Sequence, residues 1–219
     1  MRDDGLWLSN PDDGISVCAG FDGSLNDDWT AIKCETREGL IFTPRYGPDR
    51  RPTIWNPAEW PDHEIPRHEV REAWREIGKR YRILRAYCDP GFRDETDWSH
   101  EIESEWPELL GVDDRVFIPW VMAGSQRRYA VYQMLRRFES DLRAGVISHD
   151  GCPITTTHLD NARKIPHGDI YILGKPGQGQ KIDVGVTTAL AHEAAADMRA
   201  AGWPDDKKSK PRAAINFGF

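Results

Sequence analysis

Residues 15–24, with the sequence ISVCAGFDGS, form an apolar run that ends in an acidic turn. The run predicts a short buried strand, and Asp22 lies where this strand meets the turn. Two further apolar runs, residues 29–35 and 40–43, follow after short turn-forming segments. Three short strands with tight connections predict an antiparallel meander at the start of the fold.

The chain then changes to helices that alternate with strands. Six prolines within residues 44–66 predict an irregular loop. Apolar residues spaced four, three and four positions apart predict an amphipathic helix over residues 67–81, and the next strand, residues 83–88, runs into Asp89. Downstream, the pattern predicts an acidic helix near residues 98–109, a strand at 116–118, a helix at 129–139, a short helix at 153–162, a strand or hairpin arm at 170–173 and a last helix at 182–201. This order predicts an α/β fold whose mixed sheet, an antiparallel meander plus parallel strands, is flanked by helices.

The composition favours one globular domain. The chain has 219 residues, of which 39% are hydrophobic and 30% are charged, so it is long enough to bury a core without cross-links. No apolar run approaches the length of about 18 residues that a membrane span needs, and the first residues lack the pattern of a secretory signal. The four cysteines are widely spaced with no CxxC pair, which predicts reduced, mostly buried thiols in a cytosolic protein.

The net charge of −7 is unevenly distributed along the chain. Residues 1–114 carry 14 Lys and Arg against 26 Asp and Glu, whereas residues 115–219 carry 15 against 10. The basic second half is compatible with a polyanionic partner on one face of the protein. Ordinary solvated surface charge explains the same distribution equally well.

Three aspartates occupy positions that could create an acidic site. Asp22 and Asp89 each end a predicted strand, and Asp183 begins the last helix. If the two strands are parallel neighbours, their ends meet at one sheet edge, and a helix packed across that edge adds the third carboxylate. Grouped carboxylates repel one another unless cations neutralise them, and hard oxygen ligands suit Mg²⁺ or Mn²⁺. Asp is also a common turn former and helix cap, so position alone leaves both interpretations open.

Six short segments resemble, in the same order, segments of the nuclease domain of tailed-bacteriophage terminase large subunits. The first, residues 18–31 (CAGFDGSLNDDWTA), contains Asp22, and the second, residues 87–90 (YCDP), contains Asp89. The others are residues 126–137, 145–153 (GVISHDGCP), 158–162 (HLDNA) and 181–183 (KID), the last leading into a helix of small residues. Each segment is short, but together they cover about residues 15–201 in family order.

The resemblance implies an RNase H-like fold and a metal-dependent endonuclease that hydrolyses phosphodiester bonds of double-stranded DNA, cutting concatemeric viral DNA during genome packaging. It implies that Asp22, Asp89 and Asp183 are catalytic residues and ligands of two Mg²⁺ or Mn²⁺ ions, with Asp28 as a secondary acidic candidate. The implied partners are double-stranded DNA, a terminase ATPase domain or subunit, the small terminase subunit and the portal, with no membrane. The implied location is the cytoplasm of the infected bacterial host.

The chain departs from the family in one large respect, because full terminase large subunits also carry an ATPase with a GxxxxGK[ST] phosphate loop. No such string occurs here, and residues 174–181 (GKPGQGQK) lack the required Lys-Ser/Thr pair. We therefore expect an excised or separately encoded nuclease that does not translocate DNA by itself. Its expected organisation is a leader at residues 1–14, the RNase H-like domain at 15–203 and a basic tail at 204–219.

The basic second half supplies the candidates for DNA contact, Arg127, Arg128, Lys175 and Lys181, although surface solvation alone would explain each of them. His149 and Asp150 lie in a hairpin-like stretch and are expected to have structural roles. Two alternatives to the terminase nuclease remain: another RNase H-like nuclease of the resolvase or transposase type, and a catalytically silent module that docks on DNA or the portal. Serine hydrolase and HExxH zinc protease chemistry are not supported, because neither motif is present.

Overall fold

A computed structural model describes residues 7–23, 28–91, 97–177 and 179–204 of the chain. Its strands are β1 (Ser16–Asp22), β2 (Thr30–Thr36), β3 (Leu40–Phe42), β4 (Arg45–Tyr46), β5 (Arg51–Pro52), β6 (Ile54–Trp55), β7 (Arg82–Asp89), β8 (Phe117–Pro119), β9 (Ser148–His149), β10 (Arg163–His167) and β11 (Ile170–Gly174). Its α-helices are α1 (Arg67–Arg80), α2 (Trp106–Leu110), α3 (Arg128–Arg143), α4 (Pro153–Asn161) and α5 (Asp183–Ala200). The described residues include the end of the predicted leader and most of the predicted domain. Residues 205–219 of the basic tail lie outside them.

The main sheet is mixed, and its strands follow the order β8-β7-β1-β2-β3-β9, with β6 also pairing with β2. The β1–β2 and β2–β3 pairs are antiparallel, which confirms the predicted meander. The β1–β7 and β7–β8 pairs are parallel, because α1 returns the chain across the sheet before β7 begins. The predicted α/β class and mixed sheet are therefore confirmed.

The two faces of β1 pack against different layers. Val17, Ala19 and Phe21 belong to the core beneath α1 and its neighbouring tryptophans. The Phe21 ring meets Trp98 and Trp106 edge-on, with centroid distances of 5.3 Å and 4.8 Å. Each such aromatic pair contributes about 0.5–1.5 kcal/mol beyond the burial of its apolar surface. The first face is therefore a large aromatic core that holds β1 in place.

The opposite face of β1 packs against α5 at very short range. Gly20 permits this approach, because a Cβ at its position would lie 2.3 Å from the Thr187 carbonyl oxygen and 2.4 Å from the Ala191 amide nitrogen. Helix α5 is buried on all sides from Asp183 to residue 195, since the sheet covers one side and α3 and α4 cover others. A helix buried all round needs small apolar residues rather than one apolar stripe, which explains its alanine-rich sequence.

Buried ion pairs anchor the C-terminal half of α5. The imidazole of His192 lies between two carboxylates, with Nδ1 3.0 Å from a Glu35 oxygen and Nε2 3.0 Å from an Asp141 oxygen. Both ring nitrogens therefore donate, which requires the protonated ring. Burial by itself lowers the pKa of His192, but the hydrogen bonds and charges of Glu35 and Asp141 outweigh burial and raise that pKa. Arg199 also binds the Glu35 carboxylate, so the network joins α5 to β2 and α3.

Several elements differ from the expectation based on sequence. Residues 44–66, expected as irregular loop, contain the β4–β5 pair and β6, each only two residues long because the prolines remove backbone donors. The acidic helix is interrupted by a π-helical segment, Glu101–Glu105. The stretch around β9 is not a hairpin, since β9 pairs in parallel with β3.

The cysteines are in the state that the sequence predicts. Cys18, Cys34, Cys88 and Cys152 are all buried free thiols, as predicted. In the part of the chain that the structure describes, no helix combines the length and apolar character needed to cross a membrane.

Candidate active site

The parallel pairing of β1 and β7 brings two of the predicted acids together. Asp22 and Asp89 end their strands and are direct partners in the ladder register, so their backbones lie about 4.8 Å apart. Side chains alternate along a strand, so Asp22 shares a face with Gly20 and Asp89 shares a face with Tyr87. That face is the one covered by α5, since the Tyr87 hydroxyl donates to Asp197 of α5 at 2.6 Å.

Helix α5 adds the third acid to this edge. Asp183 is the first residue of the helix and is 8% exposed. Its Oδ2 accepts the Trp29 backbone N–H at 3.1 Å, which fixes the carboxylate near the start of β2. The Trp29 N–H belongs to the strand side of the site and not to α5, so this hydrogen bond ties the Asp183 carboxylate to the sheet rather than to its own helix.

The three acids line one cavity of about 390 Å³ at the sheet edge. Asp28 and the cationic side chains of Arg128 and Lys175 line the same cavity. Among the residues that the structure describes, no three His, Cys, Asp or Glu side chains are gathered closely enough to hold one ion. The structure thus unites the predicted residues around one space, and their role as metal ligands remains a prediction.

The electrostatics of these carboxylates fit a cation site. Burial raises the pKa of Asp22 well above its usual range, and the charges of Asp89, Asp183 and Asp28 raise it further. Burial also raises the pKa of Asp89, although backbone hydrogen bonds from Gly91 and Met122 oppose the shift. For Asp183, burial and the Asp28 charge raise the pKa. The candidate ligand atoms are all carboxylate oxygens, and their negative charges lie close together. Hard oxygen ligands of this kind are the ones that Mg²⁺ and Mn²⁺ prefer.

Asp28, the secondary acidic candidate, is bound to two of the predicted DNA contacts. Its Oδ1 lies 2.8 Å from the Lys181 ammonium and 3.3 Å from the Lys175 ammonium. Burial by itself raises the pKa of Asp28, but the hydrogen bonds and charges of the two lysines outweigh it and hold that pKa below its usual value. The two lysines therefore lie beside the acidic cavity and already share one carboxylate.

The two predicted arginines differ in their surroundings. Arg127 packs its guanidinium over the Trp120 ring at 4.5 Å and donates to the Val121 carbonyl oxygen at 3.1 Å. Arg128 instead borders the acidic cavity, with NH1 3.0 Å from His167 Nε2 on β10. Arg127 has a structural role in this conformation, and Arg128 is better placed for a ligand in the cavity.

His149 and Asp150 make the structural contacts that were expected of them. Asp150 is 1% exposed and accepts hydrogen bonds from the Trp7 indole and the Thr43 amide at 2.9 Å and 2.7 Å. The His149 ring accepts the Gly151 N–H at 3.0 Å. Both residues shape the chain around β9, away from the acidic edge.

Residues near Asp183 were missed by sequence reasoning. Trp29 contributes a backbone N–H, and His158 and Asn161 of α4 contact the segment that carries Asp183. In the sequence, Trp29 lies in the family-like segment at residues 18–31, and His158 and Asn161 lie in that at residues 158–162, but none of the three could be given a role. These contacts join positions that are 20 or more residues apart, so local patterns do not report them.

Solved structures of two phage terminases are similar to the fold of this chain. The crystal structure of the large terminase nuclease from thermophilic phage G20c matches with a TM-score of 0.58 and 13% identity, over 86% of this chain and 94% of that one. The fold of this chain is that of a large terminase nuclease. The magnesium-bound structure of the G20c nuclease has a TM-score of 0.57 and 15% identity, over 85% of this chain and 84% of that one. The HK97 bacteriophage large terminase has a TM-score of 0.57 and 14% identity, over 87% of this chain and 40% of that one.

Sequence comparison points to phage proteins as well. The Gene 13 protein of Mycobacterium phage D29 is 29% identical over 199 residues, which cover 88% of this chain and 31% of that protein. The Gene 13 protein of Mycobacterium phage L5 is 28% identical over 190 residues, covering 84% and 30%. The chain therefore spans about a third of the length of the curated relatives it matches. No protein-family model matches the chain.

Proposed function

We propose that the chain is the nuclease part of a viral genome-packaging terminase large subunit and acts as a metal-dependent endonuclease on double-stranded DNA. The observation that carries the proposal is the convergence of Asp22, Asp89 and Asp183 on one cavity at the sheet edge. The terminase nuclease fold supports it, and a structure of the similar G20c nuclease has magnesium bound.

Asp22, Asp89 and Asp183 are the proposed ligands of two divalent ions, Mg²⁺ or Mn²⁺. When bound, such ions activate a water and stabilise the leaving oxygen of the phosphodiester. The protein's own part is to hold the carboxylates at the ends of two paired strands and a helix, all on buried elements, so that little reorganisation is needed. Asp28 forms ion pairs with Lys175 and Lys181 at the rim of the cavity, and we propose it as a secondary acidic residue of the site.

Cationic side chains at the cavity rim are the proposed contacts to the DNA backbone. Arg128 and Lys175 line the acidic cavity itself, and Lys181 lies beside them through Asp28. A phosphate between these groups and divalent ions would experience positive charge on both sides, which favours its binding despite the overall charge of −7. Arg127 is the weakest candidate, because it stacks on Trp120.

The same proposal includes the wider context of the reaction. Cutting would act on concatemeric viral DNA, in the cytoplasm of the infected host, together with a terminase ATPase domain or subunit, the small subunit and the portal. The match covers 40% of the HK97 large terminase, so this wider context is proposed rather than read from the chain itself.

Plasmid cleavage tests the proposal directly. Supercoiled plasmid is incubated with the protein in EDTA, Mg²⁺ or Mn²⁺. The Asp183→Asn variant is compared with a matched control, Asp49→Asn, which changes an exposed aspartate in a turn that does not line the cavity. We expect cutting with divalent ions only, a loss of about two orders of magnitude or more for Asp183→Asn, and no loss for the control.

Other outcomes would identify the alternatives. Metal-independent DNA binding without any cutting would favour a silent docking module. Preference for branched over linear duplex substrates would favour a resolvase-like nuclease. Equal cutting by Asp183→Asn and wild type would remove Asp183 from the proposed ligand set.

A further inference from the structure

Helix α4 packs directly on the first turn of α5, the helix that begins with Asp183. A Cβ at Gly185 would lie 3.1 Å from Leu159 Cδ2, which is a tight contact, and 3.6 Å from the His158 carbonyl oxygen, which is ordinary van der Waals contact. The contact places the side chains of His158 and Asn161 beside the segment that leads into α5.

His158 supplies the hydrogen-bond acceptor that the start of α5 lacks. The N-cap residue of α5 is Ile182, whose apolar side chain cannot accept a hydrogen bond from the first turn. The Nδ1 atom of His158 accepts the Val184 N–H at 3.1 Å, and His158 is buried, with 4% of its surface exposed. Since Nδ1 accepts, the ring proton lies on Nε2.

Asn161 holds the other side of the same segment. Its Nδ2 donates to the Lys181 carbonyl oxygen at 2.9 Å, two residues before Asp183. Trp29 completes the arrangement, because its N–H binds the Asp183 carboxylate at 3.1 Å while its ring packs edge-on against the His158 ring at 5.0 Å. The backbone is thus tied two residues before Asp183, at Lys181, and one residue after it, at Val184.

We propose that His158 and Asn161 of α4 are positioning residues that hold the first turn of α5, and thereby the Asp183 carboxylate, in the geometry that a divalent ion requires. The inference rests on the proposed function in one respect, that Asp183 is a metal ligand. It assigns a role to the segment at residues 158–162, which nothing in the acidic cavity itself explains. Groups that orient metal ligands typically change metal affinity or activity by about 10–100-fold when they are replaced.

Two substitutions at His158 separate positioning from mere bulk. His158→Asn carries its acceptor oxygen at the δ position, where it can replace Nδ1, whereas His158→Gln carries its acceptor one bond farther out. Thr157→Ala is the matched control, since Thr157 is an exposed residue of the same helix whose hydroxyl binds only the Pro153 carbonyl oxygen within α4.

The first measurement is amide hydrogen exchange over residues 182–187 of the full chain in EDTA, which does not depend on metal or cutting. We expect His158→Gln to exchange about fivefold to tenfold faster in this segment, the effect of losing one helix cap. His158→Asn and Thr157→Ala should remain close to wild type. Equal protection in all variants would overturn the assignment of His158 as the cap of α5.

The second measurement is the Mn²⁺ concentration at half-maximal plasmid cutting, with Mn²⁺ affinity measured separately by electron paramagnetic resonance. We expect the midpoint to rise about 10–100-fold in His158→Gln and to be restored in His158→Asn. Faster exchange with an unchanged Mn²⁺ affinity would overturn the positioning role. Failure of the wild type to bind Mn²⁺ or to cut would instead refute the proposed function, and the exchange data would still decide whether His158 caps α5.

Discussion

Replacing Gly20 with alanine tests how strongly the acidic site depends on the contact between β1 and α5. The added Cβ would lie 2.3 Å from the Thr187 carbonyl oxygen and 2.4 Å from the Ala191 amide nitrogen, whereas ordinary contact of a Cβ begins near 3.4 Å. Both neighbours are backbone atoms, so no side-chain rotation relieves the clash. Helix and strand must therefore separate by about 1 Å in a close-packed interior.

The separation affects both stability and activity. Overpacking of this kind reduces the free energy of unfolding by about 1–3 kcal/mol, which lowers the melting temperature of a domain of this size by roughly 2–12 °C. Asp22 lies two residues after Gly20 on β1, and Asp183 lies one turn before Thr187 on α5, so the same movement separates the two carboxylates. A displacement of about 1 Å at a reacting centre can reduce the rate about 100-fold.

Urea unfolding in EDTA and plasmid nicking in Mn²⁺ measure the two effects on the same protein. The matched control is Gly179→Ala, because a Cβ at Gly179 meets nothing within 4 Å. We expect the control to unfold and cut like wild type. Wild-type stability and cutting in Gly20→Ala would refute the reasoning, since β1 and α5 would then have room that the structure does not show.

Three further predictions follow from the charges in the structure. Asp22→Asn should unfold at the same or a higher urea concentration than wild type in EDTA. The substitution removes a buried carboxylate whose pKa is raised by burial and by the negative charges of its acidic neighbours. A lower urea midpoint would contradict repulsion between these carboxylates. Because the pKa of His192 is raised in the folded state, the free energy of unfolding should be greatest below the ordinary histidine pKa of about 6.5 and should fall as the pH rises through the folded-state pKa. Urea midpoints measured from pH 6 to 9 should therefore decrease with pH in wild type and decrease less in His192→Gln. An equal decrease in both proteins would mean that another group causes the pH dependence. The association constant for DNA should fall steeply as the salt concentration rises. Arg128→Gln should reduce the slope of its logarithm against the logarithm of salt concentration by about one. An unchanged slope would mean that Arg128 makes no phosphate contact.

The order of the elements and the acidic edge could be predicted from local patterns. The apolar run of β1, the tight connections after it and the spacing of α1 are properties of neighbouring residues, and they correctly indicated a meander followed by parallel strands. Acids that end parallel strands must lie at the same sheet edge, so the proximity of Asp22 and Asp89 followed from their positions in the strands. Asp183 was placed at the start of a helix, and the packing of α5 on β1 and β7 brings it to the same cavity.

The partners of the charged side chains could not be predicted in the same way. Lys175 and Lys181 were expected only as DNA contacts, yet both bind Asp28, about 150 residues earlier in the chain. The net charge of a sequence does not say which charged groups form ion pairs. That depends on the distances between side chains on elements that pack together in the fold.

The sequence by itself thus determined the order of strands and helices and which residues end them, since hydrophobic periodicity and turn chemistry act over a few residues. Only the tertiary structure decided that α5 touches β1 at Gly20, that His158 caps the helix of Asp183 and that His192 lies between two carboxylates. These contacts join residues that are distant along the chain, and close packing of the whole interior selects them together rather than one at a time.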